Sequence, residues 1–287
     1  MSKGITLVLG GLGVKGIANI GTLQSLCNHQ VKIDKVVASG ISSLIGSQFA
    51  LGRNLDLLIE NFIRFFDENE RYLWGLEQLS GLTRKRNRRV VSSLSYFLRE
   101  RLFCKENVKR ISILPWDLVQ ADLEAFFGNN TFSEMKVPLA VSAIDLNRGK
   151  EVLIEQGNLI ESLKAGIAFP GLFPPVHIAD QELVSSTLYC ELPLSSIVKA
   201  RQRIIAVDIP SDLSVERPYS LLEIISQMDE VRTAAIKQKL LSKADHIFRL
   251  EKLKRFKWGS YRQIPQLISL ARDNMNELLE LADMPTF

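Results

Sequence analysis

The stretch Val36-Val37-Ala38-Ser39-Gly40-Ile41-Ser42-Ser43-Leu44 decides the fold. Its first three residues are apolar and are typical of the end of a buried strand, and the apolar run that begins at Leu44 is typical of a helix. Ser42 is therefore expected on a turn from a strand into a helix, which is where serine hydrolases carry their nucleophile. The same position also suits a serine whose hydroxyl only caps the helix, and the residues by themselves leave both roles open.

Strand-like and helix-like segments alternate on both sides of this turn. The pattern predicts strands at Ile5–Leu9, 34–39, 139–144, 152–154, Arg203–Asp208 and 246–250. It predicts helices at 15–28, after Ser42, at 54–66, 89–102, 159–168 and over most of 221–281. Such alternation predicts an α/β fold with a mostly parallel sheet covered by helices. We expect one domain over residues 1–287, with a basic helical insertion at about 53–115 and a mostly helical C-terminal part at about 219–287.

The composition is that of an ordinary soluble globular protein, with 46% hydrophobic and 24% charged residues among 287. No apolar run reaches membrane-spanning length and the N-terminus has no signal-peptide pattern, so a cytoplasmic location is expected. The few cysteines and histidines are widely spaced, which argues against disulfides and metal sites: Cys27, Cys104, Cys190, His29, His177 and His246. Neither a metal nor a cofactor is expected.

Positive charge is concentrated in one stretch. Residues 81–110 carry a net charge of +8, which leaves −4 for the rest of the chain. The stretch begins with five cations: Arg84, Lys85, Arg86, Arg88 and Arg89. A second basic group at 252–257 is interleaved with aromatic residues. Such segments bind anionic membrane surfaces or nucleic acid, or form a solvated helix face. Because no nucleic-acid motif is present, the inner face of a membrane is the expected partner and nucleic acid is not.

Nearly from end to end, the chain resembles the patatin-like phospholipases. Four segments carry the resemblance, in the order that the family has them: the glycine-rich loop 11–16, the turn 39–42, and the segments 165–176 and 244–247. The resemblance implies a three-layer sandwich with a mostly parallel central sheet and an inserted helical region. It also implies a Ser–Asp dyad that hydrolyses lipid or acyl esters without histidine.

Site residues follow from the same resemblance. Ser42 stands where the family has its nucleophile, and the oxyanion loop corresponds to Gly11, Leu12, Gly13, Lys15 and Gly16. The alternative for this loop is a purely structural glycine turn that binds nothing. Ser185 stands where the family has the dyad aspartate.

Three positions depart from the family pattern. Leu12 replaces the middle one of three glycines, and a leucine held in the left-handed region would cost ~1–2 kcal/mol. Leu44 replaces a small residue after the nucleophile and must find room or shift the helix. Ser185 cannot accept a proton as a carboxylate does, and loss of a general base typically slows a reaction by ~10²–10⁴-fold.

We therefore expect a catalytically impaired homologue that binds a lipid, an acyl group, or a protein partner or oligomer. The enzymatic alternative is an active esterase or phospholipase with a displaced carboxylate. Asp180, Glu182 and Glu191 are close enough in sequence to be considered for that role, although the first two belong to a predicted hairpin turn. Asp208 and His177 are weaker candidates, and a second subunit is a further source of a carboxylate.

Overall fold

A mixed sheet of eight strands lies at the centre of the computed structural model, which describes residues 4–68, 111–197, 202–210, 221–256, 259 and 261–282. The strands run in chain order as β1 Ile5–Leu9, β2 Lys35–Ala38, β3 Leu139–Asp145, β4 Lys150–Ile154, β5 Val176–Ile178, β6 Gln181–Ser185, β7 Arg203–Asp208 and β8 His246–Arg249. Their order across the sheet is β5-β6-β3-β2-β1-β7-β8, and β4 pairs with β3 beside this path. Across the sheet, the five strands β3, β2, β1, β7 and β8 are parallel to one another, whereas the pairings β3–β4, β3–β6 and β5–β6 are antiparallel. The predicted α/β class with a mostly parallel sheet is thus confirmed.

The central strands are almost continuous apolar runs because both faces of the sheet are covered. All five residues of β1 are buried. Leu7 and Leu9 belong to the large core cluster on one face, while Val8 belongs to a smaller cluster on the other face. Parallel strands that are covered on both faces show this near-continuous hydrophobicity.

Helices cover both faces of the sheet. They are α1 Asn19–Asn28, α2 Ile41–Ala50, α3 Leu55–Glu68, α4 Asp117–Phe127, α5 Leu159–Ile167, α6 Leu221–Leu241 and α7 Ile264–Leu281. Buried residues of α1, α2, α5 and α7 join the large cluster, and Leu240 and Leu241 of α6 join the smaller one. This arrangement is the three-layer sandwich that the sequence predicts. In the described ranges, no helix combines the length and the apolar composition that crossing a membrane requires.

Two predicted helix boundaries are wrong. The helix predicted for 15–28 begins as a 3-10 helix, Gly13–Ala18, and becomes α-helical only at Asn19. Glycines at 13 and 16 disfavour a regular α-helix, which explains the tighter first turns. The helix predicted to follow Ser42 begins before it, at Ile41.

Part of the predicted insertion lies outside the described residues. This concerns 69–110, and with them the predicted helix at 89–102 and the basic residues at 84–89. The domain organisation therefore stays a prediction.

The C-terminal helix α7 packs on α1 with backbone-close contact. A Cβ atom at Gly21 of α1 would lie 2.1 Å from the carbonyl oxygen of Ile268 in α7. Only a glycine allows this approach. Helix α1 is therefore fixed from the outside by α7 and from the inside by the sheet.

Strand register places the candidate site. Leu9 pairs with Ala38 at the carboxyl ends of β1 and β2, so the segments that follow these two strands leave the sheet side by side. The carboxyl edge of a parallel sheet is where α/β proteins bind ligands. The glycine-rich loop after β1 and the turn after β2 meet at this edge.

Candidate active site

Gly40 forms the turn between β2 and α2. Its backbone has φ +56° and ψ −143°, a conformation that residues with a side chain rarely adopt. A Cβ atom here would also lie 2.7 Å from the Cγ2 atom of Thr187. Glycine is therefore required twice, for the turn and for the contact with the segment that follows β6.

Ser42 is the second residue of α2 and is fully buried. Its Oγ accepts a hydrogen bond from Nδ2 of Asn19 at 2.9 Å and lies 3.4 Å from the carbonyl oxygen of Gly16, to which it donates. The helix cap is Gly40, and no side-chain capping bond is made there. Ser42 thus does not act as a helix cap, and its hydroxyl faces the glycine-rich loop and α1.

The glycine-rich loop keeps its shape despite Leu12. Gly11 and Gly13 take positive φ angles of +142° and +57°, whereas Leu12 is extended at φ −78° and ψ 125°. The expected left-handed strain at Leu12 is therefore wrong, because the two flanking glycines supply the turn. The half-buried Leu12 side chain packs against the large core cluster.

Gly16 brings this loop against the nucleophile position. A Cβ atom at Gly16 would lie 2.9 Å from Oγ of Ser42 and 3.3 Å from its backbone nitrogen. Lys15, which precedes it, is buried, and its Nζ donates to the carbonyl oxygen of Pro210 at 2.6 Å. Its ammonium thus contacts the chain that follows β7.

Leu44 finds room without displacing α2. Its side chain is half-buried at the border of the large core cluster. The close approach of α2 to the sheet falls instead at Gly46, where a Cβ atom would lie 3.1 Å from Cγ1 of Val36 and 3.4 Å from Cδ1 of Leu139. Packing of this helix therefore depends on residue 46 and tolerates leucine at residue 44.

Ser185 ends β6 and begins the turn that contacts Gly40 through Thr187. Its Oγ lies 3.0 Å from Oγ1 of Thr187 and accepts a long bond, 3.5 Å, from the Thr187 backbone N–H. The Ser185 N–H donates to the carbonyl oxygen of Ala168 at 2.9 Å. This hydroxyl therefore caps the short 3-10 helix Ser186–Leu188, and residue 185, which the family resemblance aligns with the dyad aspartate, holds no carboxylate.

The nearby carboxylates are engaged elsewhere. Asp180 is 75% exposed and pairs with Arg148, whose guanidinium lowers the pKa of the aspartate by hydrogen bonding. Lys237 lies 3.2 Å from Glu191 and 2.5 Å from Asp208. Burial lowers the pKa of this lysine, but the two carboxylates outweigh burial and raise it to about 12. Each of these three carboxylates is therefore ion-paired with a cation.

The remaining two candidates lie on the edge hairpin. Glu182 of β6 is paired in register with His177 of β5, and the histidine is exposed. The predicted hairpin turn at 179–182 is present between these strands, with its turn residues at 179 and 180. Within the described residues, no cluster of three or more His, Cys, Asp and Glu side chains could hold a metal ion.

Two buried polar residues near the site were missed from sequence. Asn19 could have been found only through a weak signal in the sequence, since it interrupts the apolar spacing at the start of α1.

Glu151 of β4 is the second of these residues. It is also buried, and its carboxylate accepts hydrogen bonds from Oγ of Ser142 at 2.8 Å, from the backbone N–H of Ser196 at 2.9 Å, and from Oγ of Ser195. Ser142 Oγ also lies 2.8 Å from Oγ of Ser186. Glu151 thus supports the turn that carries Ser185, and among described residues it has no contact with Ser42.

Several known proteins resemble this chain in sequence or in fold. A family model described as "Patatin-like phospholipase" matches residues 7–194. The "Uncharacterized NTE family protein MT2641" of Mycobacterium tuberculosis is 24% identical over 224 residues, which are 77% of this chain and 33% of the relative. The "Lysophospholipase NTE1" of Scheffersomyces stipitis is 23% identical over 211 residues, 73% of this chain and 12% of the relative. This chain therefore matches about a third or less of the length of these two relatives.

The fold has a similar solved structure in VipD from Legionella pneumophila. The TM-score is 0.51 at 12% identity, with 97% of this chain and 67% of that chain covered. A likeness at this identity supports the fold alone. The family model, in contrast, covers well over half of the chain, from β1 to the segment that follows β6. The chain therefore belongs to the patatin-like phospholipase family.

Proposed function

We propose that this protein is a patatin-like acyl hydrolase homologue whose ester hydrolysis is lost or strongly reduced, and that it acts by binding acyl lipids. One observation carries the proposal. In the part of the chain that the structure describes, the hydroxyl of Ser42 is hydrogen-bonded only to an amide N–H and a backbone carbonyl. Ser185 occupies the place of the family's acid.

The chemistry explains why this arrangement blocks turnover. Attack of Ser42 on an ester carbonyl requires a group that takes the hydroxyl proton as the new C–O bond forms. The Asn19 amide donates and cannot accept at its nitrogen, and a backbone carbonyl is too weak a base. Without a base, we expect a rate at least ~10²–10⁴-fold below that of a normal dyad.

Lipid binding is inferred from the family and from what the site retains. The turn at Gly40, the loop glycines and the buried Ser42 keep the arrangement that an acyl ester would meet. The name of the fungal relative, a lysophospholipase, supports a lipid ester as the ligand class. We place this pseudoenzyme in the cytoplasm, peripherally at a membrane, with a protein partner or second subunit as a further element of its action.

Fluorophosphonate labelling tests the proposal directly. We expect no labelling of the wild type or of Ser42→Ala, and labelling of Ser185→Asp that disappears in Ser42→Ala/Ser185→Asp. The double variant is the matched control for adventitious serines. Labelling of the wild type that requires Ser42 would overturn the proposal.

An active hydrolase with a displaced carboxylate is the second candidate. The observations in its favour are that Ser42 is retained near the start of α2, just after the turn that follows β2, and that the proline-rich segment 169–176 resembles the family's. Turnover of short acyl esters by the wild type, abolished in Ser42→Ala, would establish this candidate. An increase in the specific activity with protein concentration would indicate that a second subunit supplies the carboxylate.

Binding to an anionic membrane surface through residues 84–89 also remains a proposal, since these residues lie outside the described ranges. We expect co-sedimentation with phosphatidylserine vesicles that is lost when Arg84, Lys85, Arg86, Arg88 and Arg89 are changed to Gln. The control changes five dispersed exposed cations outside both basic groups to Gln: Lys32, Lys136, Lys150, Lys239 and Arg232. Binding that persists in the first variant, or that ignores the anionic lipid content, would contradict it.

A further inference from the structure

Asn19 is the side chain that contacts the hydroxyl of Ser42 most closely. It is the first residue of α1 and is fully buried. Its Nδ2 atom lies 2.8 Å from the carbonyl oxygen of Gly10, 2.9 Å from Oγ of Ser42 and 3.2 Å from the carbonyl oxygen of Gly16. Its Oδ1 atom is buried without a hydrogen-bond partner among the described residues.

The orientation of this amide follows from its neighbours. Backbone carbonyl oxygens only accept hydrogen bonds, so the group that faces Gly10 and Gly16 must be the amino group. Reversing the amide would set Oδ1 against two carbonyl oxygens. The side of Asn19 that faces Ser42 is therefore a donor, and the hydrogen bond to Oγ runs from nitrogen to oxygen.

A donor in this place has a defined electrostatic effect on residue 42. Hydrogen bonding to the charged form of a group lowers its pKa. The N–H of Asn19 occupies a lone pair of Oγ, and the proton of Ser42 then points away from the amide. In a site that also held the dyad aspartate as base, the negative charge that develops on Oγ during attack would be stabilised by the hydrogen bond from Asn19.

We infer that Asn19 is a positioning residue of the nucleophile, which fixes Oγ of Ser42 and favours its deprotonated form. This inference rests on the proposed function, in which the nucleophile site is complete except for its acid. It differs from a merely structural role, in which Asn19 only ties the carbonyl groups of Gly10 and Gly16 to α1. A structural role would affect stability but would leave the ionisation of residue 42 unchanged.

The titration of a thiol at position 42 separates the two roles without requiring activity. Ser42→Cys is introduced into a protein in which Cys27, Cys104 and Cys190 are replaced by Ser or Ala. The ultraviolet absorbance of the thiolate then reports the pKa of the single thiol even where reagents cannot reach it. Asn19→Leu, which has the same branched side-chain shape and no donor, is compared with the Asn19 protein.

We expect the thiol pKa to rise by about one to two units in N19L, as expected for loss of a hydrogen bond to a charged group. Equal pKa values in the Asn19 and N19L proteins would overturn the inference. Circular dichroism establishes that each variant is folded.

A comparison within the unaltered site covers the case in which N19L does not fold. Burial raises the pKa of the buried Cys190 thiol to about 11. With Asn19 in place, a thiol at position 42 should titrate at least one unit below Cys190, measured in the matching protein that keeps only Cys190. A pKa equal to or above that of Cys190 would contradict the inference.

A kinetic measurement links the inference to the chemistry of the site. In the Ser185→Asp background, N19L should lower the fluorophosphonate rate about 10–100-fold and shift its pH profile to higher pH. Labelling of the wild type would refute the proposed function while leaving the thiol titration valid. An unchanged thiol pKa would refute the role of Asn19 while leaving the proposed function intact.

Discussion

The space beside Ser42 restricts which residues can stand at the positions that contact it. Gly16 has no positive φ, so its identity depends on space alone. We expect Gly16→Ala to destabilise the protein by ~1–3 kcal/mol, because its methyl group would meet Oγ and the backbone nitrogen of Ser42. Urea unfolding measures this, with Gly259→Ala as the matched control, since an added Cβ there has nothing within 4 Å. Equal stability of the two variants would contradict this prediction, because it would show that the glycine-rich loop can shift to accommodate the methyl group.

Conformation at the same residues could be predicted from sequence only in part. The glycines announce an unusual backbone, and Gly11, Gly13 and Gly40 do adopt positive φ. The sequence pattern also suggested strain at Leu12, which is absent. Which residue of a glycine-rich loop takes which dihedral angle depends on how the loop is closed against α2, and that contact is not a local property.

Elements are linked at the edge of the sheet by Arg148, which joins the β3–β4 turn to the β5–β6 turn. Its Nη1 lies 2.8 Å from the buried Asp145, and its Nη2 contacts the exposed Asp180. Hydrogen bonding to Arg148 lowers the pKa of both carboxyl groups below the usual range. Each group thus contributes stability above its unfolded pKa of about 3.9, and this contribution is lost as pH falls through the lower folded pKa.

We therefore expect Arg148→Ala to lower the urea midpoint clearly at pH 7 and much less at a pH below the lowered folded pKa values, where the carboxyl groups are protonated in both states. Lys32→Ala serves as a control, because Lys32 is 76% exposed and lies 4.0 Å from Asp34. It should change the midpoint little at either pH. A difference for Arg148→Ala that is the same at both pH values would contradict the pairing.

The whole molecule extends beyond the region that the family model matches. That match ends at residue 194, yet β7 pairs with the central strand β1 along its whole length, and α7 packs on α1. A chain that ends at residue 197 would leave one edge of β1 unpaired and part of the large core cluster exposed. We expect it to show no cooperative unfolding, in contrast to the full chain.

Size-exclusion chromatography and thermal unfolding by circular dichroism measure this difference. A monomeric, cooperatively unfolding chain of residues 1–197 would contradict the expectation and would make the C-terminal part an independent addition. The physical reason for expecting the opposite is that a central parallel strand needs a partner on both sides and a cover on both faces.

By itself, the sequence determined the fold class and the family and led to the prediction that the acid at residue 185 is lost, because apolar periodicity, glycine turns and residue identity are local properties. Tertiary structure alone decided what surrounds Ser42. Asn19 and Gly16 reach it only because β1 and β2 are parallel and in register, and the hydrogen bond from Asn19 joins residues 23 positions apart. Contacts between distant segments likewise pair Lys237 with Glu191 and Asp208 and bury Glu151. Such contacts depend on strand order and helix packing, which no local pattern encodes.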